Sequence, residues 1–443
     1  MNSSCFYIKR RNQALIEKSI ASSFVTAVLG PRRVGKSTLL KHLSSKLPSA
    51  NKLYLSMDDR KERNLIETNG LKAIIEERLL RKIAPNNIAW VIVDEAQKCP
   101  AIFEQIKILY DQFKDQSAIK FILTGSGSFS LHQLSAETLA GRIQLYKLRE
   151  FNLRETFALQ SNKTISDDYS VLASLIDGEN LENIAKVIDD LSPFRSALTS
   201  ALRTQLLFGG LPEVLQATTE DERWRYLANY LQTYLEKDIL AVQSISDLNI
   251  YQKLMGVIAE QTGSVRSDQK IINALQVSRE TIKKYRGLLA ATLMYEEIYP
   301  FIDSSLKRLV KAPKGYLTNN GLISYLTGIH DYSLLEKTGL IGHRFENWFL
   351  KELRTYLDQH PYLNEINYWR TSNDSEVDLI VNLKQRVIPC EITYSTQVDR
   401  KKIRTLKMFL QKEKKAPYGI IIYNGDFSYD ATTRIYHIPA WMV

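Results

Sequence analysis

The sequence predicts an α/β chain of several domains, with an open parallel sheet near its start. Three observations predict it. A length of 443 residues exceeds what one hydrophobic core usually organises. Two near-continuous apolar runs, residues 24–29 and 88–93, each end abruptly in a polar motif, the pattern of strands buried on both faces. The composition is 44% hydrophobic, 10% aromatic and 24% charged, which excludes wholesale disorder.

The first run passes straight into Gly30-Pro31-Arg32-Arg33-Val34-Gly35-Lys36-Ser37-Thr38, followed by a helix-like stretch to Leu43. This is the phosphate-loop pattern G-x-x-x-x-G-K-[ST] in its strand–loop–helix setting. Gly30 and Gly35 let the backbone curl so that amide N–H groups converge on phosphate oxygens, and the helix N-terminus adds partial positive charge. Lys36 is expected to reach the β and γ phosphates and the Ser37 hydroxyl to ligate Mg²⁺, so ATP with Mg²⁺ is the expected ligand.

The second run ends in Asp94-Glu95-Ala96-Gln97. An acid at the end of a strand beside the phosphate loop can hold the metal, the role expected of Asp94. Glu95 can orient and deprotonate the attacking water. A strand at 52–56 is inserted between the two motifs, and another at 119–123 ends in Thr124-Gly125-Ser126-Gly127-Ser128. The inserted strand and the glutamate together predict the additional-strand, catalytic-glutamate type of phosphate-loop ATPase core, with Thr124 or Ser126 sensing the γ-phosphate. Arg142, in Ala140-Gly141-Arg142 before a strand at 143–148, is expected either to stabilise transition-state charge or to be a structural surface arginine. The first role would act in cis, or in trans within a homo-oligomer. The Asp-Glu-Ala-Gln string invites comparison with helicases, but no second strand–loop–helix series follows.

Residues 161–193 are polar and acidic (Asp167, Asp168, Asp177, Glu179, Glu182, Asp189, Asp190), which reads as an insertion or mobile helical linker. Tyr226, Tyr230 and Tyr234 recur at four-residue spacing in a helix over 223–242, an aromatic stripe expected to be core. A helix over 248–260 precedes two more, separated by a turn at 276–278 where Ser278 can cap the second. Ile282, Tyr285 and Leu289 supply its buried face, while Arg279, Lys283 and Arg286 read as one exposed basic stripe. That is the geometry of a helix-turn-helix, with residues 293–298 and 307–311 as a wing hairpin and DNA as its partner.

In the last hundred residues an amphipathic helix begins near Gly342, and strands follow at 376–381 and 387–393. Glu346, Asp378 and Glu391 are the elements of a nuclease metal site. They resemble the restriction-endonuclease-like, resolvase-type fold, whose signature is E…D…E-x-K. Thr393 stands at the lysine position, so the three carboxylates are expected to be either a degenerate metal site or structural leftovers, in an inactive version of the fold that could bind nucleic acid. Residues 400–415 carry Arg400, Lys401, Lys402, Arg404, Lys407, Lys412, Lys414 and Lys415 with Glu413 as the only acid. This is either a solvated helix face or a surface for a phosphate backbone.

Taken in order, the loop at 30–37, Asp94-Glu95-Ala96-Gln97, Leu123-Thr124-Gly125-Ser126, Leu139-Ala140-Gly141-Arg142, Gly209-Gly210-Leu211-Pro212-Glu213, Tyr234-Leu235-Glu236-Lys237-Asp238, Ala312-Pro313-Lys314-Gly315-Tyr316 and Glu376-Val377-Asp378 resemble prokaryotic AAA-type ATPases with a C-terminal domain of unknown function, relatives of the archaeal and STAND-like groups. The resemblance implies an ATPase core over 1–155, a helical connector over 156–245, a winged-helix-like region over 246–335 and a nuclease-like fold over 336–443. The net charge of +10 permits an anionic partner. Three scattered cysteines (Cys5, Cys99, Cys390), six scattered histidines, no apolar leader and no run of eighteen apolar residues predict a cytoplasmic protein without disulfides or a zinc site. A nucleotide-binding scaffold with little hydrolysis and a protein partner is the rival expectation, and an active metal-dependent nuclease the third.

Overall fold

The computed structural model describes residues 7–85, 87–126, 137–165, 170–178, 181–239, 247–302, 311–360, 365–371 and 375–443, and every count below refers to these. The chain divides into two compact units, residues 1–150 with 291–293, and residues 151–290 with 294–443.

The first unit is built on strands β1 (Val25–Leu29), β2 (Lys52–Ser56), β3 (Ala89–Asp94), β4 (Ile119–Gly125) and β5 (Ile143–Lys147). Their order is β2-β3-β4-β1-β5 and all pairings are parallel. Every residue of β1 and β4 is buried, which is why they read as unbroken apolar runs, whereas β2 alternates and lies at an edge. The strand that stands between β1 and β3 is therefore β4, not the one inserted between the motifs in sequence. Ile66, Leu71, Ile75, Phe103 and Ile106 pack against Leu55, Val91, Val93, Phe121 and Leu123 to form the core of one face. Because the strands are parallel, all their C-terminal ends share one edge, where open α/β sheets bind ligands.

The second unit carries a mixed sheet of eight strands in the order β12-β13-β11-β10-β9-β8-β6-β7. They are β6 (Tyr295–Pro300), β7 (Lys314–Leu317), β8 (Glu365–Arg370), β9 (Glu376–Asn382), β10 (Val387–Ile392), β11 (Gly419–Tyr423), β12 (Ser428–Asp430) and β13 (Ile435–Pro439). The helix Arg400–Lys412 seats Leu406, Phe409 and Leu410 on Val377, Ile380, Val387, Ile421 and Ile435. The helix Ile341–Leu357 is buried along most of its length.

Three expectations for this unit need correction. Within residues 161–193 the described helices Val171–Asp177 and Leu181–Leu191 are packed and not a mobile linker: they bury Leu172, Leu175, Ile184 and Leu191. Tyr356 donates to the Asp177 carboxylate, and Arg386 and Tyr418 donate to the carbonyls of Ile176 and Leu175. The charge count concealed an apolar face; Asp167, Asp168 and Glu179 lie outside the described residues. The hairpin after the helical triplet pairs β6 with β7, so its second strand is Lys314–Leu317 and not 307–311, of which 307–310 lie outside the described residues. β6 also runs parallel to β8, which makes the hairpin the margin of the large sheet. In the tyrosine stripe, Tyr230 and Tyr234 are buried but Tyr226 is exposed.

Candidate functional site

β1 delivers the chain into the phosphate loop at Gly30. A Cβ there would lie 2.2 Å from the Leu148 carbonyl oxygen, so only glycine fits. Gly35 takes φ 96° at the start of the helix Lys36–Ser45, a left-handed step that turns the loop into the helix. Lys36 is buried and its Nζ donates to the carbonyls of Gly30 (2.9 Å) and Pro31 (2.7 Å). Its ammonium thus lies within the loop's curl. Ser37 is half-buried beside it and Thr38 faces solvent, as do parts of Pro31, Arg32 and Arg33. Arg10, which no sequence signal marked, is buried and donates to the Val34 carbonyl (2.7 Å), bracing the loop from outside.

At the same edge, Thr124 pairs in register with Val28, and Val93 with Leu123. At the usual strand spacing Asp94 stands about 10 Å from the β1 axis. Both Asp94 oxygens are oriented: Tyr54 donates to Oδ2 (2.7 Å) and Thr124 to Oδ1. Burial, then the hydrogen bond to Asp94, pushes the Tyr54 hydroxyl well above its ordinary pKa, so it stays a donor. Thr124 Oγ1 also accepts from the Glu95 backbone N–H (3.2 Å). Glu95 Oε2 accepts from Ser126 Oγ (2.7 Å) and Gln97 Nε2 (2.6 Å). The sheet therefore gathers Lys36, Ser37, Asp94, Glu95, Thr124 and Ser126 at one edge. A hydroxyl and a carboxylate are hard oxygen donors, and each Asp94 oxygen keeps a lone pair after its one bond, so the set fits Mg²⁺. Tyr54 was not legible as a site residue, although its alternation on β2 places it on the same side as the polar β2 end. Tyr54→Phe is expected to raise the Mg²⁺ concentration that half-saturates nucleotide turnover roughly tenfold, the usual cost of losing a residue that orients a metal ligand; a Mg²⁺ titration checks it.

Arg142 does not join this group. Its carbonyl accepts from the Val25 N–H (2.9 Å), and Ile143 pairs with Val25. It therefore lies at the N-terminal edge, a strand length of about 17 Å from Gly30. Its guanidinium makes a bidentate pair with Asp111 (2.8 and 2.9 Å) on the surface. Action in cis is thereby corrected: a residue just before a parallel strand lies at the end opposite the ligand edge.

The carboxylates of the second unit do converge. Asp378 interacts with both Glu346 and Glu391, Lys314 with Glu346 and Asp378, and Lys402 with Asp378 and Glu391. Lys402 Nζ lies 2.9 Å from Asp378 Oδ2, 2.6 Å from Glu391 Oε2 and 2.9 Å from the Ile392 carbonyl. Thr393 occupies the signature's lysine position, but Lys402 reaches in from the following helix. Lys314 Nζ sits 3.2 Å from Glu346 Oε1 and 2.6 Å from Glu376 Oε1, and Tyr316 donates to Glu346 Oε1 at 2.5 Å. Burial, reinforced by Asp378, raises Glu391 well above the usual carboxylate range. Burial would raise Asp378 too, but Lys402 and Lys314 outweigh it and hold Asp378 low. Among the described residues no group of three or more His, Cys, Asp or Glu has an arrangement able to hold a metal ion.

The basic stripe is also altered. Arg279 and Lys283 are exposed, but Arg286 is buried and paired with Asp268 at 2.8 Å. On a helix it stands four residues from Ile282, beside the apolar face and not opposite it. Along the helix Arg400–Lys412, Arg400, Lys401, Arg404, Lys407 and Lys412 are exposed, as are Lys414 and Lys415 beyond it; Lys402 alone turns inward.

The parallel sheet, the glycine loop and the acid pair have the layout of a phosphate-loop module. Residues 22–157 match the family described as AAA domain, while residues 199–333 and 341–443 match two families each described as a domain of unknown function. An uncharacterised protein of Mycobacterium tuberculosis is 24% identical over 441 residues, 99% of this chain and 85% of its own length. An uncharacterised protein of Methanocaldococcus jannaschii is 24% identical over 277 residues, covering 61% of this chain and 55% of its own. Among solved structures, the Walker-type ATPase of Pyrococcus abyssi is similar with a TM-score of 0.41 at 15% identity, over 72% of this chain and 96% of that one. The Aeropyrum pernix ORC2 protein in its ADP form gives 0.34 at 12% identity, over 76% and 97%. Among the described residues no helix is long and apolar enough to cross a membrane.

Proposed function

We propose that the first unit binds ATP with Mg²⁺ and hydrolyses it, and that the cycle serves as a conformational switch for a second unit that contacts DNA. The observation that carries the first part is the grouping at one sheet edge of Lys36, an Asp94 oriented by Tyr54 and Thr124, and a Glu95 held by Ser126 and Gln97. In this reading Lys36 leaves the carbonyls of Gly30 and Pro31 for the β and γ phosphates, with the loop amides around them. Ser37 and Asp94 would hold Mg²⁺, which would supply positive charge against the negative charge of those phosphates. Glu95 takes the proton of the attacking water, and Thr124 or Ser126 registers the γ-phosphate. Arg142 remains available only to a neighbouring copy of the chain.

DNA is the partner that the exposed cations support: Arg279 and Lys283 on the helix after Ser278, which caps it (3.1 Å to the Thr281 N–H), and the outer face of residues 400–415. The triplet with its β6–β7 hairpin is read as winged-helix-like, and the β8–β11 region as a nuclease-like fold in which Lys402 and Lys314 replace metal charge. Affinity for duplex DNA is expected to fall with salt, by about 0.9 log unit per log unit for each phosphate contacted. Arg404→Glu with Lys407→Glu should flatten that slope by about two contacts. Phosphate release measured with and without DNA tests the coupling: slow turnover that DNA never stimulates, with no salt-dependent binding, favours the scaffold with a protein partner.

A further inference from the structure

A water molecule that attacks phosphorus carries two O–H groups, and the direction of its lone pair is set by where both of them point. One acceptor leaves the molecule free to rotate. Two acceptors fix it. Glu95 supplies one, and the structure contains a second acceptor for which hydrolysis by Glu95 alone gives no use.

Glu95 takes φ 55° and ψ 44°, a left-handed step that is costly for any residue but glycine. It begins a single 3-10 turn, Ala96–Lys98, closed by the Lys98 N–H on the Glu95 carbonyl (3.0 Å), and this turn brings the Gln97 side chain back against Glu95. Three polar groups then form a ring. Gln97 Nε2 donates to Glu95 Oε2 (2.6 Å) and to Ser126 Oγ (3.1 Å), and Ser126 Oγ donates to Glu95 Oε2 (2.7 Å). The amide orientation follows, because a flip would set Gln97 Oε1 against a carboxylate oxygen. Both bonds to Glu95 fall on Oε2, which leaves Oε1 as its proton acceptor. Gln97 Oε1 is buried and receives no hydrogen bond from any described residue. A buried carbonyl without a donor is unfavourable by about 1–3 kcal/mol, a cost that a donor from a bound water would recover.

We propose that Gln97 is a positioning residue for hydrolysis: its Oε1 accepts the second O–H of the attacking water while Glu95 accepts the first. The proposal rests on the hydrolase reading above and deepens it. In the step, the water oxygen forms a bond to the γ-phosphorus. The bond from that phosphorus to the β–γ bridging oxygen breaks, and its electron pair stays with ADP. The proton that the water loses passes to Glu95 and from there to solvent; Gln97 exchanges no proton and only orients.

Gln97→Met keeps the side-chain length and removes both amide functions, and Gln97→Glu restores an acceptor without the donor. Full-length variants are compared by fluorescent-nucleotide binding, by kcat and KM for phosphate release, and by pH–rate profiles. Gln97→Met should bind nucleotide within about twofold of wild type and lose kcat about 100-fold, the cost of a misaligned reactant. Gln97→Glu should turn over faster than Gln97→Met at high pH, with the acidic limb displaced upward by about one unit or more, since touching carboxylates share a proton. A Gln97→Met kcat within threefold of wild type overturns the proposal, as does an unshifted limb in Gln97→Glu. Loss of nucleotide binding in Gln97→Met overturns it too, by showing a packing role. A wild type that binds ATP but never releases phosphate defeats the hydrolase reading itself, and is told apart by that result.

Discussion

Glu95→Gln is expected to bind ATP as wild type does and to release phosphate about 10³-fold more slowly, while Lys36→Ala loses nucleotide affinity as well as turnover. The two substitutions differ because the residues act at different points. Lys36 is buried inside the loop with its ammonium on two loop carbonyls, so in the proposed cycle removing it would take away the charge meant for the phosphates and leave the Gly30 and Pro31 oxygens facing them. The Glu95 carboxylate is held by Ser126 and Gln97, and glutamine can keep that position while losing basicity. Equilibrium nucleotide binding beside phosphate release separates the two. A Glu95→Gln variant with undiminished turnover would remove Glu95 from the chemistry.

Lys402→Met is expected to destabilise the second unit by about 3 kcal/mol, a fall of roughly 6–10 °C in melting temperature. Glu391 is 1% exposed, and among the described residues Lys402 is the cation that pairs with it and none donates to Glu391 Oε1. Without the ammonium, Asp378 and Glu391 face each other in a buried site and one must hold a proton. Their folded-state pKa values then lie above the unfolded ones, the folded state binds more protons, and stability falls as pH rises. The deficit should therefore be larger at pH 8 than at pH 5, and thermal unfolding at both values checks it. An unchanged melting temperature would contradict the charge-balanced reading. So would Mn²⁺-dependent DNA cleavage by the wild type that Asp378→Ala removes.

What the sequence showed best was local. The phosphate loop and the Asp94–Glu95 pair are contiguous, each sits at a strand end, and the physical reason for every residue lies within a few positions of it. What it hid was assembled across elements. Lys402 belongs to the helix after β10, so a signature that looks two residues past Glu391 finds Thr393 and stops. Lys314 and Tyr316 were visible only as a family-like string; their hold on Glu346 needs β7 laid against the helix Ile341–Leu357. Arg286 failed because seven residues of helix do not complete two turns, which carries its side chain toward Ile282 and Asp268. The place of β4 between β1 and β3 depends on sheet order, which strand sequence alone leaves free.

The central claim, that the grouping around Lys36, Asp94 and Glu95 hydrolyses ATP, is tested most directly by a single-turnover measurement with γ-labelled ATP on the full chain, with and without Mg²⁺. The account predicts labelled phosphate from the wild type in the presence of Mg²⁺ and retained, intact ATP on Glu95→Gln under the same conditions. Intact ATP on the wild type after prolonged incubation with Mg²⁺ would contradict it.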